Sequence, residues 1–180
     1  MSKLKKKIES IKVKAVDDDI NDISYLGKFS SKVPDKYDLN RGNAFFRPNA
    51  ERGEHKYFIP ANKVETTREF LQSRGYARSV AEEKAREDNK RDFARAEKIA
   101  SGDIQFVGIV AKAEILVPLG DHWISQQVRS GGLWGIESDS GEEYFEEVGK
   151  EQVAELKEIL LEYGFTKTQL QKVKVVFAFD

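Results

Sequence analysis

The sequence predicts an α+β fold with a mainly antiparallel sheet, in which a β-meander at 104–137 is joined by N- and C-terminal strands. Two observations predict it. The segments with strand patterns follow one another and are separated by short turn sequences of the length found in hairpins. A helical pattern at 141–163 has one apolar face, which can cover the sheet. With 180 residues, 11 Phe, 6 Tyr and 2 Trp, the chain can form a packed core. We predict one domain over 1–180, with a long irregular loop at 27–62 and a helical insertion at 66–100.

The first third of the chain contains one clear strand and then an irregular stretch. Residues 11–16 alternate apolar and basic side chains, which is typical of a strand with one wet face. Residues 27–62 contain three glycines, three prolines and many charges, so we expect a loop. Its aromatic residues must pack somewhere, and we therefore expect an ordered loop with a short strand at 57–59. A loop of this length is often functional.

The helical insertion is predicted to be a pair of helices. Thr66 and Glu69 have the spacing of a capping box, which would begin a short first helix. A second box of the same spacing begins at Ser79 and opens a helix that runs to about Ala100. Apolar positions in this second helix are sparse, so we expect it to be largely solvated.

The segment 104–137 carries the strongest strand patterns. Alternate residues from Val107 to Val117 are apolar, while Lys112 and Glu114 occupy the opposite face late in the run. Turn residues then separate two further short strands, at 122–129 and 133–136. Three consecutive strands with short connections predict a β-meander.

The helix at 141–163 has both an apolar stripe and end signals. Ser140 and Glu143 have capping-box spacing, and Gly164 supplies a C-terminal stop. Apolar residues recur at three- and four-residue steps between them, which predicts one buried face. A last strand is predicted at 173–179, where apolar residues again dominate. The stripe consists of Phe145, Val148, Val153, Leu156, Ile159, Leu160 and Tyr163.

Composition excludes several kinds of chemistry. The chain has no cysteine, so disulfides, Cys-ligated zinc, iron–sulfur clusters and a thiol nucleophile are ruled out. We find no phosphate loop, no serine-hydrolase elbow and no zinc-protease motif. We therefore expect no cofactor and no bound metal, and the sequence favours a non-enzymatic protein over an enzyme. Neither a long apolar run nor a secretory signal is present, which predicts a cytoplasmic protein without a membrane partner.

Charge is unevenly distributed along the chain. Residues 1–98 carry 23 Lys and Arg against 17 Asp and Glu, whereas residues 99–180 carry 7 against 14. Within the second part, residues 137–162 hold ten acids. Such asymmetry favours a partner that is steered by charge. The alternative is that these are solvated helix faces, or that the two parts neutralise each other in the fold.

Two segments carry a resemblance to a known family. Residues 20–27 (INDISYLG) and residues 130–140 (SGGLWGIESDS) resemble a family of small uncharacterised proteins encoded on phages, plasmids and integrated mobile elements. The resemblance covers about 8–30 and 104–164. It implies an accessory protein of a mobile element, and it carries no catalytic or binding residues over to this chain.

The leading hypothesis is a non-enzymatic anti-defence inhibitor that binds and modulates a host protein, such as a CRISPR effector. The acidic helix would present a row of carboxylates to a basic groove of that partner, and fast, salt-sensitive association would follow. Trp134 is either a core residue or an exposed anchor. The candidate partner-binding residues are Trp134, Glu142, Glu143, Glu146, Glu147, Glu151, Glu155, Glu158 and Glu162.

A second hypothesis is nucleic-acid binding. In the loop 41–58, basic residues are interleaved with aromatic ones, as in proteins that hold phosphates and stack bases. The lysines of residues 3–14 would add to it. Against it, the aromatics can simply pin the loop to the core. The candidate residues are Arg41, Arg47, Arg52 and Lys56, beside Phe45, Phe46, Tyr57 and Phe58.

Two weaker candidates concern catalysis and metal binding. A hydrolase or nuclease could use carboxylates at Glu137 and Asp139 with the adjacent pair Asp121 and His122, if the fold brought them together. Residues 17–21 begin like a calcium loop but lack its later Gly and Glu, so an acidic turn is the better interpretation.

Overall fold

The computed structural model describes residues 5–20 and 22–179, and within them the fold is α+β, as predicted. These residues divide into two compact units. The terminal unit comprises the described parts of Met1–Asn21 and Gln105–Asp180, and the central unit is Asp22–Ile104. In chain order the elements are β1 (Lys7–Asp17), β2 (Gly27–Ser30), α1 (Lys36–Arg41), β3 (Phe45–Phe46), β4 (Tyr57–Pro60), α2 (Val64–Ser73), α3 (Arg78–Ser101), β5 (Phe106–Leu119), β6 (His122–Arg129), β7 (Leu133–Glu137), α4 (Glu142–Glu162), α5 (Lys167–Lys172) and β8 (Lys174–Ala178).

The terminal unit is built on a sheet with the strand order β6-β5-β1-β8, and β7 also pairs with β5. Strands β1 and β5 run antiparallel, so that Ile11 lies opposite Ala113. The last strand, β8, pairs with β1 in parallel, with Val175 beside Ile11. Two segments far apart in the sequence therefore share the central part of this sheet.

The strands at 104–137 lie where the sequence predicts them, but their pairing differs from a meander. Both β6 and β7 lie along β5, so they form one return arm of a long hairpin that is interrupted at Ser130. The Ser130 N–H donates to the Ala111 carbonyl at 2.9 Å, and its Oγ accepts from the Ala111 N–H at 3.1 Å. The backbone of Gly131 and Gly132 instead bonds side chains of α4. The Ser130 side chain thus accepts a hydrogen bond that a backbone carbonyl would accept in a regular antiparallel pair.

Helix α4 covers one face of this sheet, as its apolar stripe predicts. Leu156 and Leu160 are fully buried against β1 and β5 residues, whereas Tyr163 at the end of the predicted stripe is half exposed. The helix lies close to the strands at Gly149, where a Cβ would be 2.9 Å from Val13 and 2.8 Å from the Phe177 ring. The helix position is therefore fixed by packing along its whole inner face.

The central unit contains more regular structure than the irregular loop predicted at 27–62. That segment forms a three-stranded sheet, in the order β2-β4-β3, together with the short helix α1. The strand predicted at 57–59 is present as β4. Aromatic packing explains the order, because Phe58 is fully buried and Phe45 stacks on Phe93 of α3 with the ring centroids 5.0 Å apart. The helical pair predicted at 66–100 is present as α2 and α3.

Helix starts differ from the predicted capping boxes. Helices α2, α3 and α4 begin after Lys63, Ala77 and Gly141, without a side-chain cap bond from those residues. The first N–H of α2 is instead bound by buried Asn43, whose Oδ1 accepts from Val64 at 2.8 Å. The side-chain amide of Asn43 also donates to Glu65 and is the main cause that lowers the pKa of that carboxyl. A residue distant in sequence therefore supplies this cap.

Among the described residues, no helix is both long enough and apolar enough to cross a membrane.

Candidate interaction surfaces

The exposed glutamates of α4, most of which lie on the outer side of the helix, form what we call the acidic face. These carboxylates are exposed in the chain, because the apolar residues of the same helix point to the sheet. One of them is partly neutralised, since Lys150 pairs with Glu146 at 3.6 Å. The acidic face consists of Glu142, Glu143, Glu146, Glu147, Glu151, Glu155, Glu158 and Glu162.

Charges within the acidic face repel one another. Glutamates stand four residues apart at 142 and 146, at 143 and 147, at 147 and 151, at 151 and 155, and at 158 and 162. Each such like-charge pair destabilises a helix by roughly 0.2–0.5 kcal/mol. The last turn of α4 carries no basic residue of its own, but the Lys6 ammonium donates to the Tyr163 carbonyl at this end of the helix, where a cation is favoured. The repulsion between the glutamates does not help the helix to fold, so it favours a function that uses the charge.

One glutamate of the acidic face also has a structural role. The Gly131 N–H donates to Glu155 Oε1 at 2.8 Å, and the Gly132 N–H donates to buried Gln152 at 2.9 Å. These two hydrogen bonds connect the segment between β6 and β7 to helix α4. Sequence patterns gave no signal for Gln152, because its bond depends on which strand turn faces the helix.

Trp134 lies on the sheet face opposite α4. Its six-membered ring occupies the space that a side chain at Gly108 would need, since a Cβ there would be 2.3 Å from the ring. The indole Nε1 donates to the Gly131 carbonyl at 3.0 Å, and 44% of the residue stays exposed. The structure therefore does not bring Trp134 together with the acidic face as one surface.

The basic residues of the loop 41–58 are largely engaged inside the central unit. Arg47 is buried, bonds Glu97 and the His55 carbonyl, and its guanidinium lies 4.2 Å from the Phe29 ring centre. Arg41 lies 3.7 Å from Glu65 and 3.6 Å from Glu82. The two arginines are thus surrounded by carboxylates or packed into the unit.

The remaining members of that loop set are exposed. Arg52 lies on a turn, and Lys56 donates to the Ala50 carbonyl. The aromatics divide in the same way, because Phe58 and Phe45 belong to the core whereas Phe46 is 54% exposed. This arrangement favours the interpretation that the aromatics pin the loop, and it leaves few groups for phosphate contacts.

The candidate catalytic residues are far apart. Asp121 and His122 lie where β6 leaves the Leu119 end of β5, and Glu137 pairs with Phe106 at the other end. Strand β5 has 14 residues, so the two groups are separated by roughly 40 Å. Acid–base partners must come within hydrogen-bond reach. The structure therefore does not assemble the hydrolase or nuclease site.

The acidic turn after β1 is held by its own hydrogen bonds. Asp18 accepts from the Ile20 N–H at 3.0 Å and from the Gly135 N–H at 2.9 Å. Asn21, which the calcium-loop comparison included, lies outside the described residues. Across the part of the chain that the structure describes, no group of three or more His, Asp or Glu side chains is placed to hold a metal ion.

Comparison with known proteins does not assign this chain to a family. A scan against protein-family models, a search of the curated proteins and a search of the solved structures each found no match. Function is therefore inferred from the surfaces of the chain itself.

Proposed function

We propose that this chain is a non-enzymatic binding protein that recognises a basic surface of another protein through the acidic face of α4. The observation that carries the proposal is the row of like-charged pairs on an exposed helix face. The inner face of α4 packs in the core, and Glu155 bonds Gly131, so the exposed glutamates that have no such contact, such as Glu147, Glu151 and Glu158, can contact a partner without loss of the fold. A cationic partner removes the repulsion that these glutamates cause in the free protein.

The shape of the acidic face favours a groove-like partner. Helix α4 has 21 residues, which corresponds to a rod roughly 30 Å long. Carboxylates along such a rod imitate the regularly spaced charges of a nucleic-acid backbone. A host protein that binds nucleic acid in a basic groove fits this chemistry, and the resemblance to proteins of mobile elements favours a cytoplasmic defence factor such as a CRISPR effector.

The test is affinity capture from host lysate with the full chain. We compare the wild type with a triple variant, Glu147→Gln, Glu151→Gln and Glu158→Gln, which we call the α4-Gln variant. The wild type is expected to retain one stoichiometric protein that resists nuclease treatment and is released as salt rises, because exposed charge pairs are screened. The α4-Gln variant is expected to retain much less of it.

The control carries the same charge change at exposed positions elsewhere: Glu83→Gln, Glu87→Gln and Asp121→Asn. This control is expected to capture the partner as the wild type does. Equal capture by the α4-Gln variant would overturn the proposal. Loss of the captured protein after nuclease treatment would overturn the proposal too, because nucleic acid would then link that protein to the chain.

A further inference from the structure

The terminal sheet has a second face, which α4 does not cover and which we call the open face. Side chains alternate along β1, so Ile11 and Val13 point to the core while Lys12 and Lys14 are exposed on the other side. The same alternation places Lys112 of β5 on the open face, between the buried residues Ala111 and Ala113. The open face therefore carries Lys12 and Lys14 of β1 and Lys112 of β5.

The register brings three of these cations into one row. Lys112 lies directly opposite Lys12 on one side and directly opposite Arg129 on the other. Side chains directly opposite in an antiparallel pair have Cβ atoms roughly 5 Å apart, and like charges there are destabilising. Glu114 lies 3.6 Å from Lys12 and provides partial compensation. We call these three residues the basic row.

Further cations lie around the basic row. On β8, Lys174 pairs with Ser10, and on β1, Lys14 pairs with Val110, so both belong to the same face. At the far end, the Lys7 ammonium lies 4.6 Å from the centre of the Trp123 ring. Acidic residues at strand positions of this face include Glu114 and, at the opposite end, Glu137, and Asp18 accepts from the Gly135 N–H next to Trp134. The open face is thus predominantly positive.

An exposed aromatic residue, Trp134, lies on the same face of the sheet as the basic row. Trp134 lies over Gly108, one position along the face from Val110, and Val110 is the residue opposite Lys14. Glycine within a strand reduces stability by roughly 0.5–1 kcal/mol, yet here any side chain would collide with the indole. Because 44% of Trp134 is exposed, part of the indole remains accessible beside the cations.

We propose that the open face binds single-stranded nucleic acid, with backbone phosphates on the basic row and a base stacked on Trp134. Cations on the same sheet face as an exposed aromatic suit a single strand, whose bases are free to stack. An acidic peptide would satisfy the charges but would leave the indole unused. This site lies on the opposite side of the sheet from the acidic face and does not depend on the proposed protein partner.

The test is fluorescence anisotropy of labelled oligonucleotides of about 12 nucleotides, single-stranded and duplex, titrated with the full chain. Three phosphate contacts predict a salt slope of about −2, which is roughly a 20-fold loss of affinity between about 50 and 200 mM salt. The row variant, with Lys12→Gln, Lys112→Gln and Arg129→Gln, is expected to lose this binding and its salt dependence. A control with the exposed residues Lys63→Gln, Lys167→Gln and Lys172→Gln is expected to bind as the wild type does.

A second variant tests the stacking contact. Trp134→Leu keeps an apolar side chain over Gly108 but removes the indole, and it is expected to weaken single-strand binding about tenfold while the salt slope stays unchanged. Circular dichroism establishes that both variants are folded. If the three cations acted only in folding, the row variant would not reduce the salt slope while Trp134→Leu left that slope unchanged.

Three results would overturn the proposal. The first is no binding of single strands at low salt, and the second is equal binding by the row variant. The third is a duplex preference that Trp134→Leu does not change. If sedimentation instead shows self-association that the row variant abolishes, without oligonucleotide binding, the open face receives the acidic face of a second copy and the nucleic-acid proposal is wrong.

Discussion

Phe58→Ala is expected to destabilise the central unit by about 3–5 kcal/mol, the range found for large-to-small changes at buried aromatic residues. Phe58 is fully buried, and its ring centre lies 5.5 Å from that of Phe29 and 5.7 Å from that of Phe93. It also joins the small sheet to α3, so its loss leaves a cavity between both elements. Since domain stabilities are commonly about 5–15 kcal/mol, this change removes a large fraction of the total.

The measurement is urea denaturation followed by far-ultraviolet circular dichroism. The matched control is Phe46→Ala on the neighbouring strand β3, where the side chain is 54% exposed. That change is expected to shift the free energy of unfolding by less than about 1 kcal/mol. Similar effects of the two substitutions would show that the aromatic core of the central unit is not centred on Phe58.

The α4-Gln variant is expected to be more stable than the wild type but to bind its partner about 100-fold more weakly. Replacing Glu147, Glu151 and Glu158 removes four like-charge pairs, which predicts a gain of about 1 kcal/mol. The loss of affinity corresponds to about 2.7 kcal/mol, because three charge-complementary contacts disappear. The two effects have opposite signs, and this distinguishes a binding surface from residues that maintain the fold.

Thermal unfolding and binding of the purified partner measure the two quantities. The variant with Glu83→Gln, Glu87→Gln and Asp121→Asn has the same net charge and controls for long-range steering. It is expected to retain wild-type affinity. If the α4-Gln variant instead lost stability, the glutamates would have folding contacts that the structure does not show.

Sequence patterns alone predict which face of an individual strand or helix is buried. The alternation from Val107 to Val117 predicts the side of β5 that is buried, and the stripe of α4 predicts its inner face. Both depend on local periodicity, which follows from backbone geometry alone. The exposure of the acidic face follows from the same argument, because glutamates occupy the positions that the stripe leaves.

Periodicity within one segment does not predict which strands pair with each other, or in which register. The basic row exists because Lys112 meets Lys12 and Arg129 in register, and register depends on a bulge near Ile8 and on the hairpin turn. The replacement of a ladder bond by Ser130 is likewise visible only after the strands are paired. The cap of α2 by Asn43 shows the same limit, since side chains distant in sequence compete with local capping signals.

The most direct test of the proposed function is carboxyl labelling of the chain with and without its captured partner, read by mass spectrometry. We predict that Glu147, Glu151 and Glu158 become protected in the complex, while the exposed residues Glu83 and Glu87 of α3 are labelled equally in both states. Unchanged labelling along α4 in a saturated complex would contradict the assignment of the acidic face as the binding surface.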